Sequence, residues 1–206
     1  MYARSTTLRA RPDRLEAGIS YVRDEVMPRV LAANGCIGLS LLVDPISGRC
    51  IETVAWESLD AWRAATELVR PVANRAAELL GGTPDVEEWE IAVLHRDHSS
   101  SSGACVRTVW VRVEPDQVER AIENYRAALL PEIETFDGFC SASLMVDRPA
   151  GYAVSSVTFD SYEAMRRTRK LAAVVREDVT HEASGEVVEV GEFELALAHL
   201  RVPEMA

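Results

Sequence analysis

"SLLVDPISG", Ser40 to Gly48, returns about a hundred residues later as "SLMVDRPAG", Ser143 to Gly151. Each copy is a β-rich apolar run that ends in a short gap marked by Gly and, in both, a Pro. A β-rich run returns after each gap, which is the sequence signal of a hairpin. The repeat extends outward. At a shift of 103 positions, "RPDRLEAGI" from Arg11 lies over "EPDQVERAI" from Glu114, and "TVAWESLDAW" lies over "SVTFDSYEAM". Near the ends the shift becomes 104, and "WEIAVLH" from Trp89 lies over "FELALAH" from Phe193. A period this long signals a duplicated domain rather than a solenoid. The stretch "RDHSSSSGA", from Arg96, is polar and Ser-rich and has linker composition. The expected division is a first domain over 1–96, a linker over 97–103 and a second domain over 104–206.

Each half reads strand, helix, strand, strand, helix, strand. The first strands are expected over 3–11 and 106–113. Asp13 with Glu16, and Asp116 with Glu119, have capping-box spacing at the start of the first helices. Leu15, Ile19, Val22, Val26 and Val30 recur at helical spacing, as do Val118, Ile122, Tyr125, Leu129 and Ile133. Pro28 and Pro131 fall late in these helices and should kink or split them. Ser58 and Ser161 are placed to cap the second helices. Gly81-Gly82 should end the first of these two. In "CIGLSLLVD", Ile37, Leu39, Leu41 and Val43 should share one face of a strand, with Cys36, Ser40 and Leu42 on the other. The βαββαβ order implies an α+β fold made of two ferredoxin-like repeats. Each sheet is apolar on both faces, so each needs a second cover besides its helices. The sister sheet is the expected cover, and the two would pack as one barrel.

The 206 residues, 48% of them hydrophobic, suffice to build such cores. The net charge of −11 disfavours nucleic acid as a partner. No apolar run approaches the ~18–20 residues of a membrane span. The start, "MYARSTTLRARPDRLEAG", lacks signal-peptide character. A soluble cytoplasmic protein is expected, with no membrane partner. The four cysteines are widely spaced, without Cys-x-x-Cys, and read as buried apolar residues. "HRDH", His95 to His98, has no second ligand cluster in view along the chain, so no metal is expected.

The run "GCIGLSLLVDPISGRCIETVAWESLDAW" resembles the core of the antibiotic biosynthesis monooxygenase family of the dimeric α/β-barrel superfamily. Gly35, Asp44, Pro45, Gly48, Trp56, Glu57, Ser58 and Ala61 carry the likeness. The second copy keeps Gly138, Asp147, Gly151, Ser161 and Ala164, and departs at Arg148, Phe159 and Asp160. In that family two chains usually pair their sheets. The duplication therefore implies a pseudo-dimer within one chain, with room for further homodimerisation.

The family includes cofactor-independent oxygenases of aromatic compounds and haem-degrading enzymes. The haem-degrading branch implies an Asn on the first strand, with a Trp and a His on the second helix. Ala65 and Thr168 stand at the Trp position, neither first strand has an Asn, and His181 stands without the other two. No cofactor is therefore expected. An oxygenase that uses its substrate's own electrons needs an apolar pocket, a base, and donors for a developing oxyanion. His95 and His199, equivalent at the ends of the last strands, are the candidate bases. Arg9 and Arg112 are candidate anion partners, and Trp56, Trp62 and Trp110 are candidate ring-stacking residues. Each also has a structural reading, as a strand-end residue, an ion-pair partner or a core side chain. Two functions follow. One is a cofactor-independent monooxygenase acting on a small hydrophobic or aromatic compound. The other is a non-enzymatic ligand-binding or stress-related barrel protein. A cavity of ~300 Å³ or more reached by His95 or His199 would mark a ligand site of the expected kind.

Overall fold

A computed structural model describes residues 1–173 and 185–200; His181 lies outside them. The element order repeats as the sequence does. The first copy runs β1 (Tyr2–Arg9), α1 (Leu15–Tyr21), α2 (Met27–Ala32), β2 (Cys36–Val43), β3 (Arg49–Trp56), α3 (Leu59–Leu80) and β4 (Asp85–Arg96). The second runs β5 (Cys105–Arg112), α4 (Val118–Asn124), α5 (Leu130–Glu134), β6 (Phe139–Asp147), β7 (Tyr152–Phe159), α6 (Tyr162–Arg167) and β8 (Glu186–Leu200).

The compact units cut across this repeat. One unit holds Met1–Trp89 together with the chain from Leu195, and the other holds Glu90–Glu194. Strands β4 and β8 therefore contribute to both. The hydrogen-bonded strand order is closed, β1-β3-β2-β8-β5-β7-β6-β4. The α+β class and the barrel expected from the sequence are both present.

In the first unit, β3 pairs antiparallel with β1 and with β2. The "DPISG" stretch is the β2–β3 turn. The Asp44 carboxylate accepts from the Ile46 N–H at 2.9 Å and from the Ser47 hydroxyl, and Gly48 has φ +74°. The register to β3 shifts between Cys36 and Gly38, leaving Ile37 as an extra residue. This β-bulge corrects the expected alternation. Cys36, not Ile37, joins Leu39, Leu41 and Val43 in the core cluster. Val22, Val26 and Val30, which lie 1% or less exposed, pack there with Trp56, Val72 and Leu80.

In the second unit, β7 pairs antiparallel with β5 and β6, β5 with β8, and the Glu90–Arg96 part of β4 with β6. β6 carries the same bulge as β2. Phe139 opposes Phe159 and Ser141 opposes Thr158, so Cys140 is the extra residue.

One expectation about the helices changes and another takes a specific form. Asp13 and Asp116 cap nothing. Each helix is entered through a short 3₁₀ turn, and Asp13 instead pairs with Arg11 at 3.2 Å. Pro28 and Pro131 stand where each first helix is divided in two, as expected, although the chain stays helical across the division. A π-helical turn, Val22–Val26 or Tyr125–Leu129, precedes each, and the proline sits in the first turn of the helix that follows. The wider turn absorbs the missing donor, and it keeps Val22, Val26 and Val30, spaced by four, on one face. Ser58 and Ser161 do cap their helices, accepting from Ala61 N–H at 3.1 Å and Ala164 N–H at 3.2 Å. Gly81 closes α3 in the left-handed conformation, as its position predicts.

Candidate functional site

Alternate residues of β5 face opposite ways. Arg107, Val109, Val111 and Val113 line a cavity of about 110 Å³ in the second unit, and Trp110 and Arg112 do not. Ile122, Tyr125 and Ile133 come from the helical segments, and Leu144, Ser155 and Val157 from β6 and β7. The wall is almost wholly apolar. Its polar groups are few and specific.

Tyr125 enters from the π-helical turn. Its hydroxyl lies 3.1 Å from that of Ser155 and 3.5 Å from the Ser143 carbonyl oxygen. Burial pushes the phenol up to about 12, so it remains a neutral donor. Arg107, buried at the cavity edge, is already engaged. It donates to Thr168 Oγ1 at 3.0 Å and to the Met165 carbonyl at 2.6 Å, pairs with Glu192 at 3.1 Å, and lies over the Phe159 ring. Glu192 also pairs with Arg169, and these guanidinium partners hold its carboxyl below the ordinary range. Arg107 therefore acts as a fixed strut rather than a free cation.

The first unit has a smaller counterpart, about 60 Å³, lined by Arg4, Glu52 and Val22 among others. Alignment of the copies puts Arg4 over Arg107, Val22 over Tyr125 and Glu52 over Ser155. Burial pushes the Glu52 carboxyl up to about 7, partly offset by Arg4. Arg4 Nε is buried without a hydrogen-bond partner among the described residues.

The residues singled out from sequence lie elsewhere. His95 stands at the end of β4, its Nε2 2.9 Å from Glu134 Oε1 and its ring stacked on Phe139. His199 is exposed on β8. Arg9 is exposed opposite Arg49, and Arg112 is exposed over the Tyr152 ring at 5.9 Å. Trp56 is buried in the first unit's core and Trp62 packs partly buried on it. Trp110 is buried edge-on to Phe193. Neither cavity is lined by either histidine, and the larger falls short of the ~300 Å³ set as the mark of a ligand site. The helical periodicity puts Tyr125 on the buried helix face, but no sequence motif marks it, Ser155, Arg107 or Glu52 as functional. The usable signal was the mismatch between copies, tyrosine against valine and serine against glutamate.

No helix among the described residues is long and apolar enough to cross a membrane. No family profile matches the chain. Two Mycobacterium tuberculosis proteins, named as uncharacterised, are close relatives. Rv2557 is 57% identical over 205 residues, covering 100% of this chain and 92% of its own length. Rv2558 is 56% identical over 206 residues, covering 100% of this chain and 87% of its own. Among solved structures, a candidate monooxygenase from Lactobacillus acidophilus aligns with a TM-score of 0.73 at 12% identity, over 97% of this chain and 96% of its own. An anthrone oxidase-like protein aligns at 0.66 and 13% identity, over 100% and 95%. A Listeria monocytogenes ferredoxin-fold protein related to antibiotic biosynthesis monooxygenases aligns at 0.54 and 13% identity, over 95% and 94%. The structural likeness establishes the fold, and the sequence identity establishes the kinship: the chain belongs to the family of the mycobacterial proteins Rv2557 and Rv2558, built on the ferredoxin-like barrel fold of the antibiotic biosynthesis monooxygenases.

Proposed function

We propose that this protein binds a small, largely apolar molecule, of about one aromatic ring with a single hydroxyl or carbonyl group, in the cavity of the second unit. The supporting observation is the Tyr125–Ser155 hydroxyl pair set in a wall that is otherwise apolar but for the engaged Arg107. Small-molecule sites combine that kind of lining with a few fixed polar groups. The volume of about 110 Å³ sets the scale. An apolar cavity of roughly 150 Å³ holds benzene, so this smaller one sets a single ring as its upper limit. The test is calorimetric titration with phenol and with benzene. Binding of phenol that Ala153→Leu abolishes is the expected result, because Ala153 lines the cavity. No binding of either compound, or phenol binding unchanged in Ala153→Leu, would overturn the reading.

A second reading, a cofactor-independent monooxygenase, draws on a different observation. Glu52, held near 7, has the proton affinity of a general base working at neutral pH, and it lines the first unit's cavity. The histidines His95 and His199 remain candidate bases only if substrate reaches them outside the cavities. Oxygen uptake with anthrone-type phenols, lost in Glu52→Gln, would support this reading. Uptake that survives Glu52→Gln, or no uptake at all, would remove it.

A further inference from the structure

Across the second unit, three residues far apart in sequence meet at one point. His98 Nε2 lies 3.0 Å from Asp160 Oδ1, and Cys140 Sγ lies 3.3 Å from the same oxygen. One ligand atom from each residue falls within 4.8 Å of the others. From this convergence we propose that His98, Cys140 and Asp160 form a binding site for a zinc-class divalent transition-metal ion.

The donor set is one imidazole nitrogen, one sulfur and one carboxylate oxygen. Tetrahedral zinc takes these ligands at about 2.0–2.3 Å, which sets neighbouring donors roughly 3.3–3.6 Å apart. Little movement separates the observed arrangement from that geometry. Sulfur and imidazole select against magnesium and calcium. Three protein ligands leave a fourth position for water.

The orientation of the histidine supports the assignment. His98 Nδ1 lies 2.8 Å from Asp97 Oδ2. A carboxylate on the far ring nitrogen is the usual outer partner of a metal-bound histidine, and here it would hold Nε2 toward an ion that takes the place of the proton shared with Asp160 Oδ1. The backbone fixes the rest. Cys140 is the extra residue of the β6 bulge, and bulges re-aim side chains beside functional sites. Its carbonyl accepts from Asp97 N–H at 2.9 Å and from His98 N–H at 3.3 Å. The Gly138 carbonyl accepts from Asp160 N–H at 2.8 Å. All three ligands are thus tied to one irregular stretch of strand. The first copy has Ile37 and Glu57 at the positions of Cys140 and Asp160, so only the second copy has this set. On binding, the Cys140 thiol and the His98 Nε2–H that faces Asp160 each lose a proton to solvent as the metal–sulfur and metal–nitrogen bonds form, and no electrons are transferred.

The test uses the full chain, stripped with chelator and titrated separately with Zn(II) and Co(II), with Mg(II) as the control ion. One equivalent of Zn(II) should bind. The Co(II) form should show a thiolate charge-transfer band that Cys140→Ser removes. His98→Ala should weaken Zn(II) binding by more than about 100-fold, and Asp97→Asn by about 10–100-fold. Cys105→Ser should leave binding unchanged. His98 is exposed, so His98→Ala folds even if Cys140→Ser does not, and it carries the test alone. Absence of stoichiometric Zn(II) binding, a Co(II) form without the thiolate band, or Zn(II) binding unchanged in His98→Ala would each overturn the proposal.

Discussion

Tyr125 Oη and Ser155 Oγ stand 3.1 Å apart, one delivered by a π-helical turn and the other by a strand. Tyrosine at the equivalent position of the first copy would face Glu52 rather than a serine; valine, Val22, stands there instead. Each copy thus combines a different π-turn residue with a different strand residue. The cavity chemistry of the two units differs although their backbones repeat.

Tyr125→Phe isolates the hydroxyl pair. The ring still fills its place, and only the hydrogen bonds to Ser155 and the Ser143 carbonyl are lost. A buried pair that loses one partner costs about 1–2 kcal/mol. Thermal denaturation should therefore show a melting point several degrees lower. Phenol affinity should fall about 5–10-fold, the value of one neutral hydrogen bond, while benzene affinity stays the same. Equal losses for both ligands would assign the tyrosine a packing role only.

Glu52 gives stability a pH dependence of definite sign. Its folded-state value, about 7, lies above the ordinary carboxyl value of 4.5. Between these the unfolded chain has released a proton that the folded chain keeps. Stability therefore falls as pH rises from about 4.5 to about 7, then levels off. Glu52→Gln removes this slope, and above pH 7 the variant should exceed the parent by on the order of 1–3 kcal/mol. Denaturant unfolding at pH 5 and pH 8 reads the difference, and parallel curves for the two proteins would show that Glu52 is not held in its neutral form.

Much of this architecture could be read from the chain. The helix stripes, the Asp44 turn, the serine caps and the glycine stop are local, and their residues sit within one turn of what they contact. The two bulges could not be read, because a bulge depends on the partner strand, and the extra residue looks like ordinary alternation. That one-residue slip took Ile37, still buried, out of the cluster of Leu39, Leu41 and Val43 and set Cys140 where it meets His98 and Asp160. The site residues were less legible for a related reason. Histidines and tryptophans attract notice by type. The cavity instead uses a tyrosine and a serine, whose significance lies in facing each other across thirty residues of sequence. His98 was in view within "HRDH", but its partners lie 42 and 62 positions further on.

The caps offer a paired test of local reading. Ser58 and Ser161 each hold a helix N-terminus through a side-chain acceptor, and Asp13, at an equally suggestive position, holds none. Ser58→Ala and Ser161→Ala should each cost about 1 kcal/mol. Asp13→Ala loses only an exposed pair with Arg11 and should stay within about 0.5 kcal/mol of the parent. Chemical denaturation of the three variants checks this ordering, and a cost for Asp13→Ala equal to the serine caps would show that aspartate caps in solution after all.

Gly38 is required by the approach of β8. A Cβ there would collide with the His199 carbonyl oxygen and come within 2.8 Å of Leu200 Cα. Both are backbone atoms, which cannot swing aside as a side-chain tip can. The position follows directly after the bulged Ile37, and bulged strands bend at such points. The second copy shows that the fold itself does not demand glycine there. Its equivalent residue is Ser141, paired with Arg96 on β4, and a side chain is accommodated. The requirement therefore comes from β8, and Gly38→Ala should separate β2 from the end of β8 rather than merely crowd a core. A loss of more than about 2 kcal/mol is expected, in the range of overpacking. Hydrogen exchange should be faster at the amides of β2 and of β8 near His199 than in the parent, with β5–β7 protected as before. Ser141→Gly, the reverse change, should cost no more than about 1 kcal/mol, as glycine does in a strand. Equal destabilisation by the two substitutions would show that the bulge, and not the neighbouring strand, sets the size limit at this position.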